Sequence, residues 1–279
     1  MRKSPEIKGA LMIFFSMGIF GIVGSLIRII ELPPNVIMGI TSAIASVILA
    51  FVLIYRREFK FYNPVLLVFS GILTIVVVLC FFMSYTLTTM SNTIFTHYIA
   101  PVFTALIAPF VLREKLGWKS LAALGLSIIG LFFITFNGLG FDSRNLLGIV
   151  LGIVSGVFYG IAIVVNKIVI EKNSPYQIMF AQSVIPAVIL LPTVFFSDFS
   201  LEMYKIGILF FQAIFIYISA SVLYLYGMKF LASHKSAIIS YAEILFTLLY
   251  AFVFFREIPA FSSIIGGVLI VGGGVLLVS

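Results

Sequence analysis

Ten stretches of roughly 20 mostly apolar residues follow one another along this chain, with only short polar turns between them. A helix rises 1.5 Å per residue and so needs about 20 residues to cross roughly 30 Å of hydrocarbon. Inside hydrocarbon every backbone N–H and C=O must be satisfied within the segment, so stretches of this kind fold as spanning helices. Dividing the chain at charges, prolines and polar turns predicts spans over 8–30, 34–55, 64–87, 91–112, 118–136, 146–170, 177–196, 204–229, 236–255 and 259–278. No connecting segment has room for a soluble domain. Only 10% of the residues are charged and 62% are apolar, against roughly 25% charged in a soluble globular chain. A water-facing surface cannot be covered with so few charges, which excludes soluble enzymes, nucleic-acid binders and secreted modules.

The charges encode orientation. The net charge of +7 comes from short clusters between the apolar runs, the arrangement that sets membrane topology. With the N-terminus inside, 13 of the 17 Lys and Arg residues fall on its face, and Arg28, Arg144, Lys205 and Arg256 on the other. The alternation persists through every loop, so a multi-pass protein of the cell membrane with both termini cytoplasmic is expected. Arg2, Lys3 and Lys8 ahead of an apolar run resemble a signal peptide, but the run is long and lacks a small-x-small cleavage pattern, so it is read as a retained span. The single cysteine, Cys80, lies in an apolar run, leaving neither a disulfide framework nor a Cys-rich metal site.

The two halves of the chain match one another. Gly9–Arg28 aligns with Gly148–Lys167 at an offset of 139, pairing Ser16 with Ser155, Gly21 with Gly160 and Arg28 with Lys167. Pro34, Ile37, Met38 and Ser42 meet Pro175, Ile178, Met179 and Ser183 at 141, and Tyr98, Phe103, Arg113 and Glu114 meet Tyr241, Phe246, Arg256 and Glu257 at 143. Each repeat carries five spans, an odd number, so the second half enters the membrane upside down. The fold class expected is therefore all-α integral membrane, with ten transmembrane helices as two inverted five-helix repeats around a central cavity. Residues 1–139 form the first repeat and 140–279 the second, within one integrated transmembrane domain. Inverted repeats of this kind mark secondary transporters, whose two halves supply related conformations open to opposite sides.

On these residues the chain resembles the drug/metabolite transporter superfamily, in particular its EamA-like branch. That family's first span carries a Trp-Gly start followed seven residues later by a lysine, which reads here Phe20-Gly21 to Arg28 and Tyr159-Gly160 to Lys167. Its fourth span carries a Glu-Pro pair and a Gly-Glu end, which reads here Ala100-Pro101 to Arg113-Glu114 and Glu243-Ile244 to Arg256-Glu257. Each half keeps one member of the Glu-Pro pair. The arginine of the family's second span is missing from 37–42, so its role is not carried over. The resemblance covers nearly the whole chain and implies a ten-helix carrier with a central cavity, many of whose relatives export amino acids or other small metabolites.

Within the spans, Glu243 is the sharpest candidate for function. It lies about a third of the way into the ninth run, on one helical face with Ser236 and Ser240. An ionised carboxylate at that depth costs a few kcal/mol or more, so it must face a wet cavity or hold a partner. It would serve as counter-ion to an ammonium substrate or as a proton-coupling site; the alternative is a packing carboxylate bonded to a hydroxyl or to Lys235. Tyr98 and Tyr241 sit at equivalent depth in the two halves and offer an aromatic floor for an apolar or cationic substrate. His97, aligned with Ser240, is read as a hydrogen-bonded polar side chain between helices in preference to a proton relay. Tyr85, Tyr159, Tyr217 and Tyr224 are further candidates for the cavity lining. Gly148, Gly152, Gly156 and Gly160 form a stripe along the sixth span, and Gly18, Gly21 and Gly24 thicken the first, allowing close helix contact and rocking. Pro101, Pro109, Pro186 and Pro192 interrupt spans. Arg28, Lys167, Arg113-Glu114 and Arg256-Glu257 fall near helix ends, where snorkelling to the headgroups accounts for them and gate closure is the lesser reading.

Enzyme chemistry finds little support: no His-Glu-x-x-His, Gly-x-Ser-x-Gly or phosphate-loop pattern occurs, Gly138-Leu139-Gly140 falls in a connecting turn, and a membrane-embedded enzyme would need His97, Glu243 and a serine hydroxyl within hydrogen-bond reach of each other. The function expected is a secondary transporter exporting small metabolites, amino acids or amphiphilic amines, by alternating access, with protons as one option for the coupling ion. A passive facilitator or channel is the alternative, and a multidrug carrier, which the same lining also suits, is the less favoured reading. No cofactor, metal or nucleic-acid partner is expected. The partners are a small-molecule substrate and the bilayer, and the protein is taken to be a monomer.

Overall fold

The computed structural model describes residues 3–136 and 145–278. Arg2, Arg144, the Gly138-Leu139-Gly140 turn and the boundary between the repeats at 139/140 lie outside the described residues. The described chain is helical and multi-pass: α1 Pro5–Ile30, α2 Pro34–Arg56, α3 Pro64–Leu87, α4 Met90–Val111, α5 Trp118–Thr135, α6 Leu146–Val169, α7 Pro175–Val194, α8 Met203–Met228 and α9 Ser233–Phe255 are each long and apolar enough to cross a bilayer. The tenth, α10 Phe261–Val278, is equally apolar and at the short end of the range.

Local sequence explains where these helices begin and end. Pro34, Pro64 and Pro175 each open a helix, where the missing N–H would have had no partner anyway. Ser174 adds a full capping box with Gln177, its hydroxyl accepting from the Gln177 N–H while the Gln177 amide oxygen accepts from the Ser174 N–H. At the C-terminal ends, Glu31, Arg57 and Arg256 take left-handed backbone conformations that turn the chain out of α1, α2 and α9.

The packing between the halves is reciprocal, as a pseudo-two-fold axis requires. Helix α1 packs on α8 and α9, and its repeat counterpart α6 packs on α3 and α4. Helix α2 touches α8 as α7 touches α3, while the pairs α2–α7, α5–α10 and α4–α9 meet their own counterparts. The α5–α10 crossing is close enough that a Cβ on Gly130 would stand 2.6 Å from the Gly266 carbonyl oxygen, the close backbone approach that only small residues permit. The fold is therefore two inverted five-helix repeats.

Three of the expected continuous spans are broken, and this positions the site. Helix α1 breaks after Phe20 and resumes at Val23. Helix α4 divides into Met90–His97 and Ala100–Val111, and α9 into Ser233–Ile239 and Ala242–Phe255. The last two breaks are repeat-related, at Tyr98-Ile99 and Ser240-Tyr241. Pro101 explains the first, since it offers no N–H to the preceding turn. Ile244 stands in its place in α9, where the chain tightens instead: the Tyr241, Glu243 and Ile244 N–H groups donate three residues back to Ile238, Ser240 and Tyr241. Helix α8 carries a π-helical stretch over Gln212–Ala220, which has no counterpart in the continuous α3.

Candidate functional site

The two helix breaks carry the repeat-related tyrosines to one place. The Tyr98 and Tyr241 rings stack with centroids 6.2 Å apart at an interplanar angle of 30°, and both side chains are buried. Glu243, in the first turn of α9 after its break, faces the Tyr98 hydroxyl. Tyr85, Tyr98, Tyr159 and Tyr224 all stand close enough for its charge to reach their phenols. The carboxyl opens into a narrow cavity of about 30 Å³ lined by Phe20, Ile27, Phe81, Tyr85, Ile94 and Thr247 among others, room for a water or two. The cavity lies on the Arg28 side of the breaks. None of the ion pairs among the described residues includes Glu243. Lys235, the basic partner weighed for it, pairs instead with Glu6 at 3.0 Å. Counted from Ser233, where α9 begins, Glu243 also sits nearer the middle of its helix than the predicted span suggested.

The other candidates fall into two groups. Tyr159 and Tyr224 converge on Ser240 from α6 and α8. The Ser240 hydroxyl donates to the Ser236 carbonyl at 3.0 Å, and the buried Tyr224 and Tyr241 hydroxyls have no hydrogen-bond partner among the described residues. His97 joins the wall of the site. Its Nδ1 bonds the Ser155 hydroxyl at 2.9 Å, its ring stacks on Tyr159 with centroids 5.1 Å apart, and Phe81 covers it at 4.2 Å. Ser155 in turn donates to the Val77 carbonyl at 2.7 Å. His97 thus ties α3, α4 and α6 together. Tyr217 is not part of the site; its hydroxyl donates to the Gln182 carbonyl on α7.

The glycine stripe is pressed against α4 at its break. A Cβ at Gly156 would stand 2.6 Å from the Thr96 carbonyl oxygen, and one at Gly160 would stand 2.8 Å from the Ala100 carbonyl oxygen. Gly21, at the break in α1, lies against Phe246 of α9 with equal closeness, its added Cβ 2.6 Å from the Phe246 Cβ.

Polar residues hold the face on which α1 begins. Lys167 donates to the Met228 and Leu231 carbonyls, each at 2.6 Å. The Glu114 carboxylate accepts from the Ser233 N–H at 2.7 Å, the Ser233 hydroxyl at 3.0 Å and His234 Nδ1 at 2.7 Å. Burial alone would raise the Glu114 carboxyl, yet these bonds from His234 and Ser233 hold it below the usual carboxylate range. Glu58 is likewise held low, burial being outweighed by bonds from Ser174 and Arg56. Asn173 exchanges bonds with the Tyr62 backbone, N–H to Oδ1 at 2.9 Å and Nδ2 to carbonyl at 3.1 Å. The snorkelling read for Lys167 and Glu114 is therefore replaced by specific bonds, those of Lys167 within the second half and those of Glu114 between the halves. Sequence reasoning passed over His234 as a partner; its repeat counterpart is Ser91, so the symmetry search carried no signal for it.

Known proteins agree with this architecture. The sequence profile of the EamA-like transporter family matches twice, over residues 7–136 and 146–279. An uncharacterized transporter of Archaeoglobus fulgidus is 29% identical over 177 residues, 63% of this chain, and the match spans 62% of the archaeal protein's own length. The uncharacterized transporter YxxF of Bacillus subtilis is 24% identical over 213 residues, covering 72% of this chain and 68% of YxxF. A solved crystal structure superposes with a TM-score of 0.82 at 17% identity, covering 96% of this chain and 95% of its own, which extends the likeness to the fold. A profile matched once in each inverted half, on a bundle whose helix contacts are reciprocal, leaves one conclusion: the chain belongs to the EamA-like transporter family.

Proposed function

We propose that the chain is a secondary carrier exporting amine-bearing metabolites, amino acids or amphiphilic amines, by alternating access, with Glu243 as the counter-ion to the substrate ammonium. One observation carries the reading: the Glu243 carboxyl has no ion-pair partner among the described residues and opens into a cavity walled by Tyr85, Tyr98 and Phe81 at the repeat-related helix breaks. A carboxylate among spanning helices costs a few kcal/mol unless compensated. A bound ammonium supplies that compensation, and aromatic faces add about 0.5–2 kcal/mol of cation–π attraction. The same carboxyl, taking a proton when the ammonium leaves, would couple substrate movement to protons in exchange. A channel would need an aqueous path through the bundle, whereas this cavity is about 30 Å³ and is walled on one side by Tyr98, whose ring stacks on Tyr241. Under this reading the Lys- and Arg-rich face is cytoplasmic, and export runs towards the face bearing Arg28.

The test begins with thermal shifts of the purified full chain against amino acids, amines and carboxylic acids, followed by flux of the stabilising compounds in proteoliposomes. Cationic or zwitterionic compounds are expected to stabilise the wild type and to lose that effect in Glu243→Gln, with flux reduced at least tenfold and labelled substrate exchanging for unlabelled in the wild type. Unchanged flux and pH dependence in a well-folded Glu243→Gln would remove the carboxyl from the mechanism. Flux without exchange would favour a channel.

A further inference from the structure

The two ends of the pseudo-two-fold are in different states. Glu114 and Glu257 are repeat equivalents, and so are Lys167 and Arg28. On the face where α1 begins, Glu114 is drawn in to the N-terminus of α9, its side chain 12% exposed and bonded to His234, itself 2% exposed. Lys167 lies beside it, close enough to feel the Glu114 charge. On the opposite face Glu257 meets no helix N-terminus among the described residues; it pairs with Arg28 at 2.9 Å, with the two side chains 49% and 46% exposed. The offset of 143 maps the Ser233-His234 pair that Glu114 holds onto Met90-Ser91, the start of α4.

The cavity shows the same asymmetry. Val23, Gly24, Ile27, Ile94 and Thr247 on the Arg28 side are all partly open. At the repeat counterparts of Val23, Gly24, Ile94 and Thr247 stand Ala162, Ile163, Ala237 and Thr104, every one buried, while Asn166, the counterpart of Ile27, is half-buried. The symmetric half-cavity on the Glu114 side is thus collapsed, and it is collapsed where the Glu114 contacts are made.

We propose that Glu114 and Glu257 are alternating latches. Each closes one face by capping the first N–H groups of the broken helix from the other half, and only one is engaged at a time. Helix N-termini favour a carboxylate, both through their unpaired N–H groups and through the helix dipole, and charge-assisted bonds of this kind are short and directional. Glu114 on Ser233-His234 holds the present state. In the opposite state Glu257 leaves Arg28 and caps Met90-Ser91, Ser91 offering the hydroxyl that Ser233 offers now. Lys167 and Arg28 follow the same exchange, each bonding the carbonyl end of the third helix of its own half when its face is closed, as Lys167 now bonds Met228 at the end of α8 and Leu231 just beyond it. Both glutamates act through the helices they hold, so they are positioning residues for the transport cycle. The inference rests on the alternating-access reading but not on Glu243 or on the identity of the substrate.

The test uses the full chain in proteoliposomes, in a Cys80→Ser background, with one reporter cysteine at Ile94 or at Ala237, its repeat counterpart. The probe is a membrane-impermeant maleimide applied from either side, with no substrate present. Glu114→Gln is expected to raise the labelling rate at Ala237→Cys several-fold and to lower it at Ile94→Cys. Glu257→Gln is expected to do the reverse, lowering Ala237→Cys labelling several-fold while Ile94→Cys labelling holds or rises. A merely structural role for these residues cannot move the two reporters in opposite directions. Because Glu257 is exposed, Glu257→Gln should fold even if Glu114→Gln does not, and Glu114→Asp, which keeps the charge, should restore wild-type labelling. If Glu257→Gln leaves both reporters unchanged, or if both variants shift the reporters in the same direction, the latch proposal is wrong. Loss of flux in Glu243→Gln with normal latch behaviour, or the converse, separates this inference from the proposed substrate site.

Discussion

Substituting Gly156 with Ala should cost stability in a way that the same substitution at Gly125 does not. A Cβ at 156 would stand 2.6 Å from the Thr96 carbonyl oxygen, 2.7 Å from the His97 carbonyl oxygen and 2.9 Å from Ile99 Cγ1. Ordinary van der Waals contact begins near 3.4 Å, so α6 and α4 would have to part by about 0.8 Å at their crossing. Two of the three obstacles are backbone atoms, which no rotamer change can move aside. Overpacking of this kind costs about 1–3 kcal/mol, with the upper half expected here; the gain in helix propensity of Ala over Gly, about 1 kcal/mol, offsets part of it. Gly125, in the middle of α5, has nothing within 4 Å of an added Cβ, so Gly125→Ala receives the propensity gain alone. The two variants should differ by about 2–3 kcal/mol. For a chain of this size that is roughly 4–12 °C in Tm, measurable by thermal denaturation of the purified protein in detergent. The displacement falls at the break in α4, beside Tyr98, so Gly156→Ala should also reduce flux. Equal melting temperatures for the two variants would show that the α4–α6 contact is looser than the geometry states.

Two further outcomes follow from the backbone and from the acidic residues outside the spans. Arg113 and Arg256, the positions where the family's end motif has Gly, adopt left-handed conformations with φ of 55° and 54°. Glycine relieves that strain of about 1–2 kcal/mol at some cost in unfolded-state entropy, so Arg113→Gly and Arg256→Gly should each raise Tm by about 1–3 °C; a fall would show that the arginine side chains hold more than the turn. Glu114 and Glu58 have carboxyls held below their ordinary value of 4.5 by hydrogen bonds. Their stabilisation is therefore present at neutral pH and lost as pH falls through 4.5 towards the lower folded values. The Tm should drop on acidification through that window and drop less in Glu58→Gln/Glu114→Gln; an equal drop in the double variant would assign the acid sensitivity elsewhere.

Much of the architecture was legible in the sequence because its cause is one-dimensional. A run of about 20 apolar residues dictates a span whatever surrounds it, and an odd number of spans per repeat dictates inversion. The Tyr98–Tyr241 meeting was legible for the same reason, since equivalent depth in halves related by a pseudo-two-fold places both residues near the axis. The breaks in α4 and α9 were not legible as a pair. Pro101 marks one of them, but α9 breaks at Ser240-Tyr241 with no proline, through short-range bonds that propensity does not encode. Partners of the charged residues were the least legible. Lys235 reaches Glu6 rather than Glu243, and Glu114 reaches His234, because the neighbour of each is fixed by which helices pack together, not by spacing along the chain. Ile94, Phe81 and Thr247, which line the cavity, look in sequence like any other apolar or small polar residue within a span.

The account depends on two halves threaded through the bilayer in opposite senses, and loop accessibility in intact cells measures that directly. In a Cys80→Ser background, single cysteines at Lys60, between α2 and α3, and at Asp198, in the repeat-equivalent loop between α7 and α8, would be exposed to a membrane-impermeant maleimide. Labelling of Asp198→Cys from outside, with Lys60→Cys labelled only after the membrane is permeabilised, is the predicted result. Both cysteines reacting from the same side would contradict it.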